Sequence, residues 1–317
     1  MSSNAICTGD TGLIGTALCS AIDWKYLYRA HQDERFDLRN IEDTKDLFYS
    51  AKTHFYSSAN DIVVYHLSAK VGGIGANINN LADFYRDNIL MNTNVLEVAR
   101  IARVKKLVSL ASTCVYPDNA PYPLKESDLH SGEPHFSNYA YAFAKRMLDV
   151  QSRAYRDQYG CNFVVAIPTN VYGTCDNYDL QNGHAIPVLI HKIYRAKINN
   201  EKSVTCFGSG EELRDFIYVK DVASALITIM EKYDEKTPIN IATGNEVSIS
   251  SVVEMICFFI GYSGEVIWNG KLSGQFRKPV DTTKITKLGW KPKFTLNEGL
   301  ERSCEWFMNN YPNVRGV

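Results

Sequence analysis

The chain has 317 residues, enough for one large or two modest domains around a sizeable core. With 45% hydrophobic and 22% charged residues its composition is that of an ordinary soluble protein, and a net charge of -1 argues against a broad attraction to nucleic acid or anionic membrane. No apolar run approaches the ~20 residues of a bilayer span, and the opening Met1-Ser2-Ser3-Asn4 lacks the basic and apolar regions of a signal peptide. The cysteines are scattered without Cys-x-x-Cys pairing, and Cys7, Cys206 and Cys257 lie inside apolar runs. They read as reduced thiols of a cytoplasmic protein, not as a disulfide framework or a metal site.

Residues 5–8 form a short apolar strand that runs into Gly9-Asp10-Thr11-Gly12-Leu13-Ile14-Gly15. The G-x-x-G-x-x-G spacing, between a strand and an amphipathic helix (13–22), suits a tight turn. Its backbone can approach a pyrophosphate held at the helix N-terminus. A second strand is expected over 25–28. The carboxylate that would bind a ribose 2′-hydroxyl at its end is missing, and Arg29 stands there instead. A guanidinium suits a 2′-phosphate, hence NADP, although Asp10, Asp33 and Glu34 oppose that attraction.

Residues 61–67 read as a buried strand, followed by Ser68-Ala69-Lys70-Val71-Gly72-Gly73-Ile74, where glycines suit a backbone lying close to a ligand. A long helix (about 82–102) precedes the apolar strand Leu107-Val108-Ser109-Leu110, which leads into Ser112-Thr113-Cys114-Val115-Tyr116-Pro117. In Tyr141-Ala142-Phe143-Ala144-Lys145 the phenol and the ammonium are four apart and share a helix face. The cation is expected to draw the phenol down from its ordinary range of about 10. Ser112, at a strand end, can hydrogen-bond the carbonyl that Tyr141 protonates. A further strand over 162–167 completes an alternation that predicts an α/β fold, a doubly wound parallel Rossmann sheet. Its ligands belong outside the strand C-termini, where Gly9, Ala69 and Ser112 fall.

After Pro168-Thr169-Asn170-Val171-Tyr172-Gly173 the texture changes. A polar, irregular stretch (175–183) gives way to His184-Ala185-Ile186-Pro187, which opens a helix; Phe207, Arg214 and Lys278 follow far apart in sequence. Two domains are expected: 1–170 for nucleotide binding, completed by parts of 214–245, and 171–317, a smaller α/β substrate-binding domain.

The Tyr141/Lys145 pair, the Ser112 strand and the glycine turn resemble the short-chain dehydrogenase/reductase superfamily, in its extended nucleotide-sugar branch. The Lys70–Ile74 loop, the Cys114 and His184 pair and the 168–173 stretch resemble, more narrowly, the GDP-L-fucose synthases over nearly the whole chain. That resemblance implies a bifunctional 3,5-epimerase/4-reductase acting on GDP-4-keto-6-deoxy-D-mannose with NADPH/NADP+. Ser112, Tyr141 and Lys145 would form the reductase triad, and Cys114 and His184 would serve epimerisation. Gly9, Thr11, Gly12, Leu13, Ile14, Gly15, Arg29, Ala69, Tyr141, Lys145, Pro168, Asn170, Val171 and His184 would contact the cofactor, and the segment from Asp37-Leu38 its adenine. Lys70, Val71, Gly72 and Asn170 would contact the substrate, Lys192, Arg214 and Lys278 would clamp its diphosphate, and Phe207 would stack on its base. The family also implies a homodimer through helices at about 84–102 and 139–158.

Two departures from the bacterial pattern stand out: Asp10-Thr11 occupies the turn where Arg often aids the 2′-phosphate, and Lys192 replaces an Arg. Two other readings stay open. One is a 4-epimerase or dehydratase that holds NAD tightly and recycles it. The other is a catalytically silent NADP-binding regulator, against which the intact Ser112, Tyr141 and Lys145 weigh.

Overall fold

The computed structural model describes residues 3–32, 36–55, 61–270 and 275–317; Asp33 and Glu34, expected to oppose a 2′-phosphate, lie outside them. In chain order the first part contains β1 (Asn4–Thr8), α1 (Leu13–Ala21), β2 (Leu27–Arg29), α2 (Ile41–Phe55), β3 (Ile62–His66), α3 (Ile74–Asn79), α4 (Leu81–Ala102), β4 (Lys106–Leu110), α5 (Tyr139–Tyr159) and β5 (Phe163–Pro168). The rest contains β6 (Asn170–Tyr172), α6 (Ala185–Ile198), β7 (Ser203–Cys206), β8 (Leu213–Tyr218), α7 (Val219–Lys232), β9 (Ile239–Ile241), β10 (Glu246–Ser248), α8 (Ile249–Ile260), β11 (Glu265–Trp268), α9 (Thr283–Lys287) and α10 (Leu296–Asn310).

The main sheet is parallel, with strand order β2-β1-β3-β4-β5-β9. Nearly every residue of β1, β3, β4 and β5 is buried. Helices cover both faces of these strands, which is why they read as continuous apolar runs and not as alternating ones. One face packs on α1 and α7 through Leu18, Val222, Leu226 and Ile229. The other packs on α2, α4 and α5 through Leu47, Val95, Leu96 and Leu148.

β2 starts two residues later than the sequence suggested. Residues 24–26 coil into a single 3-10 turn, and only Leu27–Arg29 pairs with β1. The pairing sets Arg29 opposite Cys7, at the strand end.

The chain order reverses between β1 and β3, opening a crevice at their C-terminal ends. Above it lie a sheet of β10-β8-β6, the pair β11-β7, and helices α6, α8 and α10 around a third apolar cluster that includes Tyr172, Ile190, Val252 and Phe307. β9 returns the chain to the main sheet beside β5, so the parts are interleaved in sequence. Helix ends carry local signals: Gly160 closes α5 in the left-handed region at φ 72°, and Thr295 with Glu298 forms a capping box on α10.

Candidate active site

A continuous cleft of about 1450 Å³ runs from Gly9 to Arg315 along the C-terminal edge of the main sheet. At its floor the glycine turn needs glycine for two separate reasons. Gly9 sits at φ +71°, and a Cβ there would lie 2.6 Å from the Ser68 nitrogen. A Cβ on Gly15 would lie 2.1 Å from the Gly9 carbonyl oxygen. The loop is therefore pressed against both β3 and its own helix, leaving the N-terminus of α1 open to the cleft.

The strand ends deliver the reacting groups. β4 runs out at Leu110, and Ser112 begins a single 3-10 turn, Thr113–Val115, that turns Cys114 into the cleft lining. Tyr141 and Lys145 reach the same cleft from the first turns of α5. His184 stands at the N-cap of α6 and lines it from above. The sulfur, the phenol, the imidazole and the Ser112 hydroxyl thus share one space.

Their electrostatics depart from the expectation for Tyr141. Burial drives its phenol far above its usual range, and the neighbouring Cys114 sulfur pushes the same way. Lys145 does not draw it down. Its ammonium donates instead to the Leu110 carbonyl at 2.9 Å, and burial pushes its own pKa down to about 8. The helical spacing put the two groups on one face, as expected, but desolvation of a ring with 7% exposure outweighs the cation. Burial likewise raises the Cys114 thiol, with Lys278, Ser112 and Lys145 opposing it, and lowers the His184 imidazole. His184 is exposed on the side of the cleft, and the protein crowded around the ring is what lowers it. Near neutrality the thiol and the imidazole are both uncharged.

Behind these groups runs a chain invisible in the sequence. Thr8 Oγ1 meets His66 Nδ1 at 2.9 Å, His66 Nε2 meets Asn92 Oδ1 at 3.0 Å, and Asn92 Nδ2 donates to the Ala144 carbonyl at 3.2 Å. Because the Asn92 amide nitrogen is spent on Ala144, its oxygen must accept from His66 Nε2–H, which leaves Nδ1 to accept from Thr8. Burial pushes His66 down to about 3, so it is neutral, as this arrangement requires. The chain ties the end of β1 to the helix that carries Tyr141 and Lys145.

The outer cleft holds Lys192, Phe207, Arg214 and Lys278. Lys192 lies over the Phe207 ring at 5.5 Å, and that ring is 64% exposed, open to a stacking partner. Arg214 is held by the carbonyls of Leu213 (2.7 Å) and Phe276 (3.0 Å). Ala69, Val71, Gly72, Pro168, Asn170 and Val171 line the cleft as well, with the Asn170 amide fixed on the Asp215 carbonyl at 2.9 Å. Lys70 lines it but is paired with the buried Asp87 at 2.8 Å.

Arg29 is the exception. It is absent from the lining; its Nε donates to Asp10 Oδ2 at 3.0 Å, and His31 bonds the same carboxylate. Arg39, which the sequence reading passed over, lines the cleft and pairs with Asp37 and Asp87. Asn138 was missed too. It lines the cleft three residues before Tyr141, and its Oδ1 is buried without a hydrogen-bond partner. An unsatisfied buried acceptor at a cleft wall points to a ligand donor, but an Asn beside a helix start carries no such signal in sequence.

Known proteins share this architecture. The profile of the NAD dependent epimerase/dehydratase family matches residues 5–242. A GDP-L-fucose synthase of Dictyostelium discoideum is 38% identical over 321 residues, covering 97% of this chain and 96% of its own length. The GDP-L-fucose synthase of Escherichia coli is 34% identical, covering 97% of each. A crystal structure of a GDP-L-fucose synthetase from Naegleria fowleri bound to NADP superposes with a TM-score of 0.89 at 34% identity, covering 99% of this chain and 95% of that one. The chain belongs to the NAD dependent epimerase/dehydratase family and, within it, to the GDP-L-fucose synthases.

Proposed function

We propose that this protein converts GDP-4-keto-6-deoxy-D-mannose to GDP-L-fucose by inverting carbons 3 and 5 and reducing carbon 4 with NADPH. One observation carries the reading: Ser112, Cys114, Tyr141 and His184 open onto a single cleft that continues to the glycine turn. The turn fits a dinucleotide, since the space a Cβ would fill at Gly9 and Gly15 is occupied by backbone and the helix N-terminus stays clear. Gly9, Thr11, Gly12, Leu13, Ile14, Gly15, Ala69, Lys145, Pro168, Asn170, Val171 and His184 are the residues that would hold it. When bound, it supplies the hydride for carbon 4.

The protein's own groups do the rest. The hydrogens on carbons 3 and 5 flank the 4-ketone, so loss of either proton places negative charge on the ketone oxygen. The Ser112 and Tyr141 hydroxyls can donate to that oxygen. Inversion needs one group to take the proton from one face and another to return it to the opposite face. Cys114 and His184, uncharged and in the same cleft, are suited to exchange protons there. In the reduction Tyr141 gives its proton to the carbon 4 oxygen. A phenol raised by burial is protonated at the start of that step, as an acid must be. Lys192, Arg214 and Lys278 supply positive charge for the diphosphate, and Phe207 offers a face to the base.

We further propose that the protein divides into a nucleotide-binding body (1–170 with parts of 214–245) and a substrate-binding one, and acts as a cytoplasmic homodimer. Among the described residues no helix is long and apolar enough to cross a membrane, and the eight cysteines are unpaired.

The test is to supply GDP-4-keto-6-deoxymannose with NADPH or NADH, follow their absorbance separately and identify the product sugar. Cys114→Ser is expected to suppress deuterium wash-in from heavy water at carbons 3 and 5. Unchanged exchange at both positions would remove Cys114 from the mechanism.

A further inference from the structure

Lys278 enters the cleft on a strap, residues 275–281, laid across the loop that follows β4. The strap is pinned along its length. Gln275 Nε2 donates to Asp118 Oδ1 at 2.6 Å, the Tyr122 hydroxyl donates to the Arg277 carbonyl at 2.9 Å, and Leu124 N donates to the Pro279 carbonyl at 2.8 Å. Asp281 N closes it on the Leu124 carbonyl at 3.0 Å. Lys278 N is further held by Glu246 Oε1 at 3.2 Å. The strap therefore directs the Lys278 side chain inward, where its Nζ lies 3.5 Å from the Thr113 carbonyl, one residue before Cys114 in the same 3-10 turn.

We propose that Lys278 is a positioning residue for Cys114: the cation that stabilises the thiolate and so lets the sulfur act as a proton acceptor. Once the thiol has lost its own proton to solvent, the thiolate so formed accepts a proton from carbon 3 or 5. The C–H bond breaks, an S–H bond forms, and the electron pair passes to the ketone oxygen. The proton-transfer role rests on the epimerase reading above; the ionisation of the thiol in the free enzyme does not.

The charges around the pair agree with this assignment. Lys278 is the largest influence opposing the burial of the thiol, ahead of the Ser112 hydroxyl and Lys145. The influence is mutual, since the sulfur supports the charge on Lys278 while burial and Arg214 oppose it and Asp118 favours it. Tyr141 and Arg146 also feel the sulfur's charge.

The test is the pH dependence of Cys114 alkylation by iodoacetamide in the substrate-free enzyme, read at the Cys114 peptide by mass spectrometry. Lys278→Met is expected to shift the midpoint up by roughly one pH unit, slowing alkylation at fixed pH about tenfold. Lys278→Arg, which keeps the charge, is expected to restore most of the rate. Lys278→Gln serves as a second neutral variant should the Met protein not fold. An unchanged midpoint in the neutral variants overturns the proposal, whether or not GDP binding weakens. A shifted midpoint with deuterium exchange at carbons 3 and 5 still normal in the neutral variants would also overturn it, since the sulfur would then act without the cation.

Discussion

Tyr141 and Lys145 divide their work differently from what their four-residue spacing suggests. The ammonium is committed to the Leu110 carbonyl, and the phenol keeps its proton until the reduction step takes it. Tyr141→Phe should therefore cut NADPH oxidation by about 10²–10⁴-fold, the usual contribution of a general acid. Deuterium exchange at carbons 3 and 5 should persist, because Ser112 still faces the ketone; NMR of recovered substrate checks it. Lys145 makes a second prediction. Its amine is depressed from 10.5 to about 8, so below pH 8 both folded and unfolded chains carry the proton and the folded state bears the full cost of burying it. As pH rises from about 8 to 10.5, the folded chain releases a proton that the unfolded chain retains, and this cost is relieved. Lys145→Met should be more stable than the parent at pH 7, by about 3 kcal/mol less the lost bond to Leu110. That advantage should shrink through the pH 8–10.5 window in melting experiments, while turnover is lost at every pH.

At the scale of elements, the turn after β1 and the end of β2 act together. Asp10, 2% exposed, holds Arg29 and bonds His31, so the guanidinium expected to meet a 2′-phosphate is already paired with a carboxylate. Asp10→Asn removes that anion, and the KM for NADPH should fall relative to that for NADH by about fivefold, the equivalent of a partly exposed ion pair of about 1 kcal/mol. Parallel KM measurements with the two cofactors decide it; no change in their ratio would mean that Arg29 stays out of cofactor selection. The Thr8–His66–Asn92–Ala144 chain is a second inter-element device. It joins the cofactor turn to the catalytic helix through groups that all have one satisfied polarity.

Across the whole molecule, α4 and α5 lie side by side and leave Tyr85, Leu90, Ile101, Tyr139, Val150 and Tyr159 each at least 40% exposed. Exposed apolar side chains on paired helices suit a second copy of the chain, as the proposed homodimer requires. Light scattering should give twice the 35.7 kDa of one chain, and Leu90→Glu combined with Val150→Glu should reduce it to one. A monomeric parent protein would dispose of this interface.

Much of the architecture was readable from residues alone. Buried parallel strands need apolar runs, the close approach at Gly9 and Gly15 needs glycine, and helical periodicity puts Tyr141 and Lys145 on one face. These are local demands, met by neighbours in the chain, so the sequence determined the alternation, the glycine turn and most members of the cleft, but not Arg39 or Asn138, and it wrongly included Arg29. Which charge meets which was decided only by folding. Asp10 and Arg29 are brought together by strand pairing, Lys145 and Leu110 by the packing of α5 on the main sheet, and Lys278 and the Thr113 carbonyl by a strap from the far end of the chain. Desolvation and Coulomb interactions depend on distances through space, and spacing along the chain does not encode them.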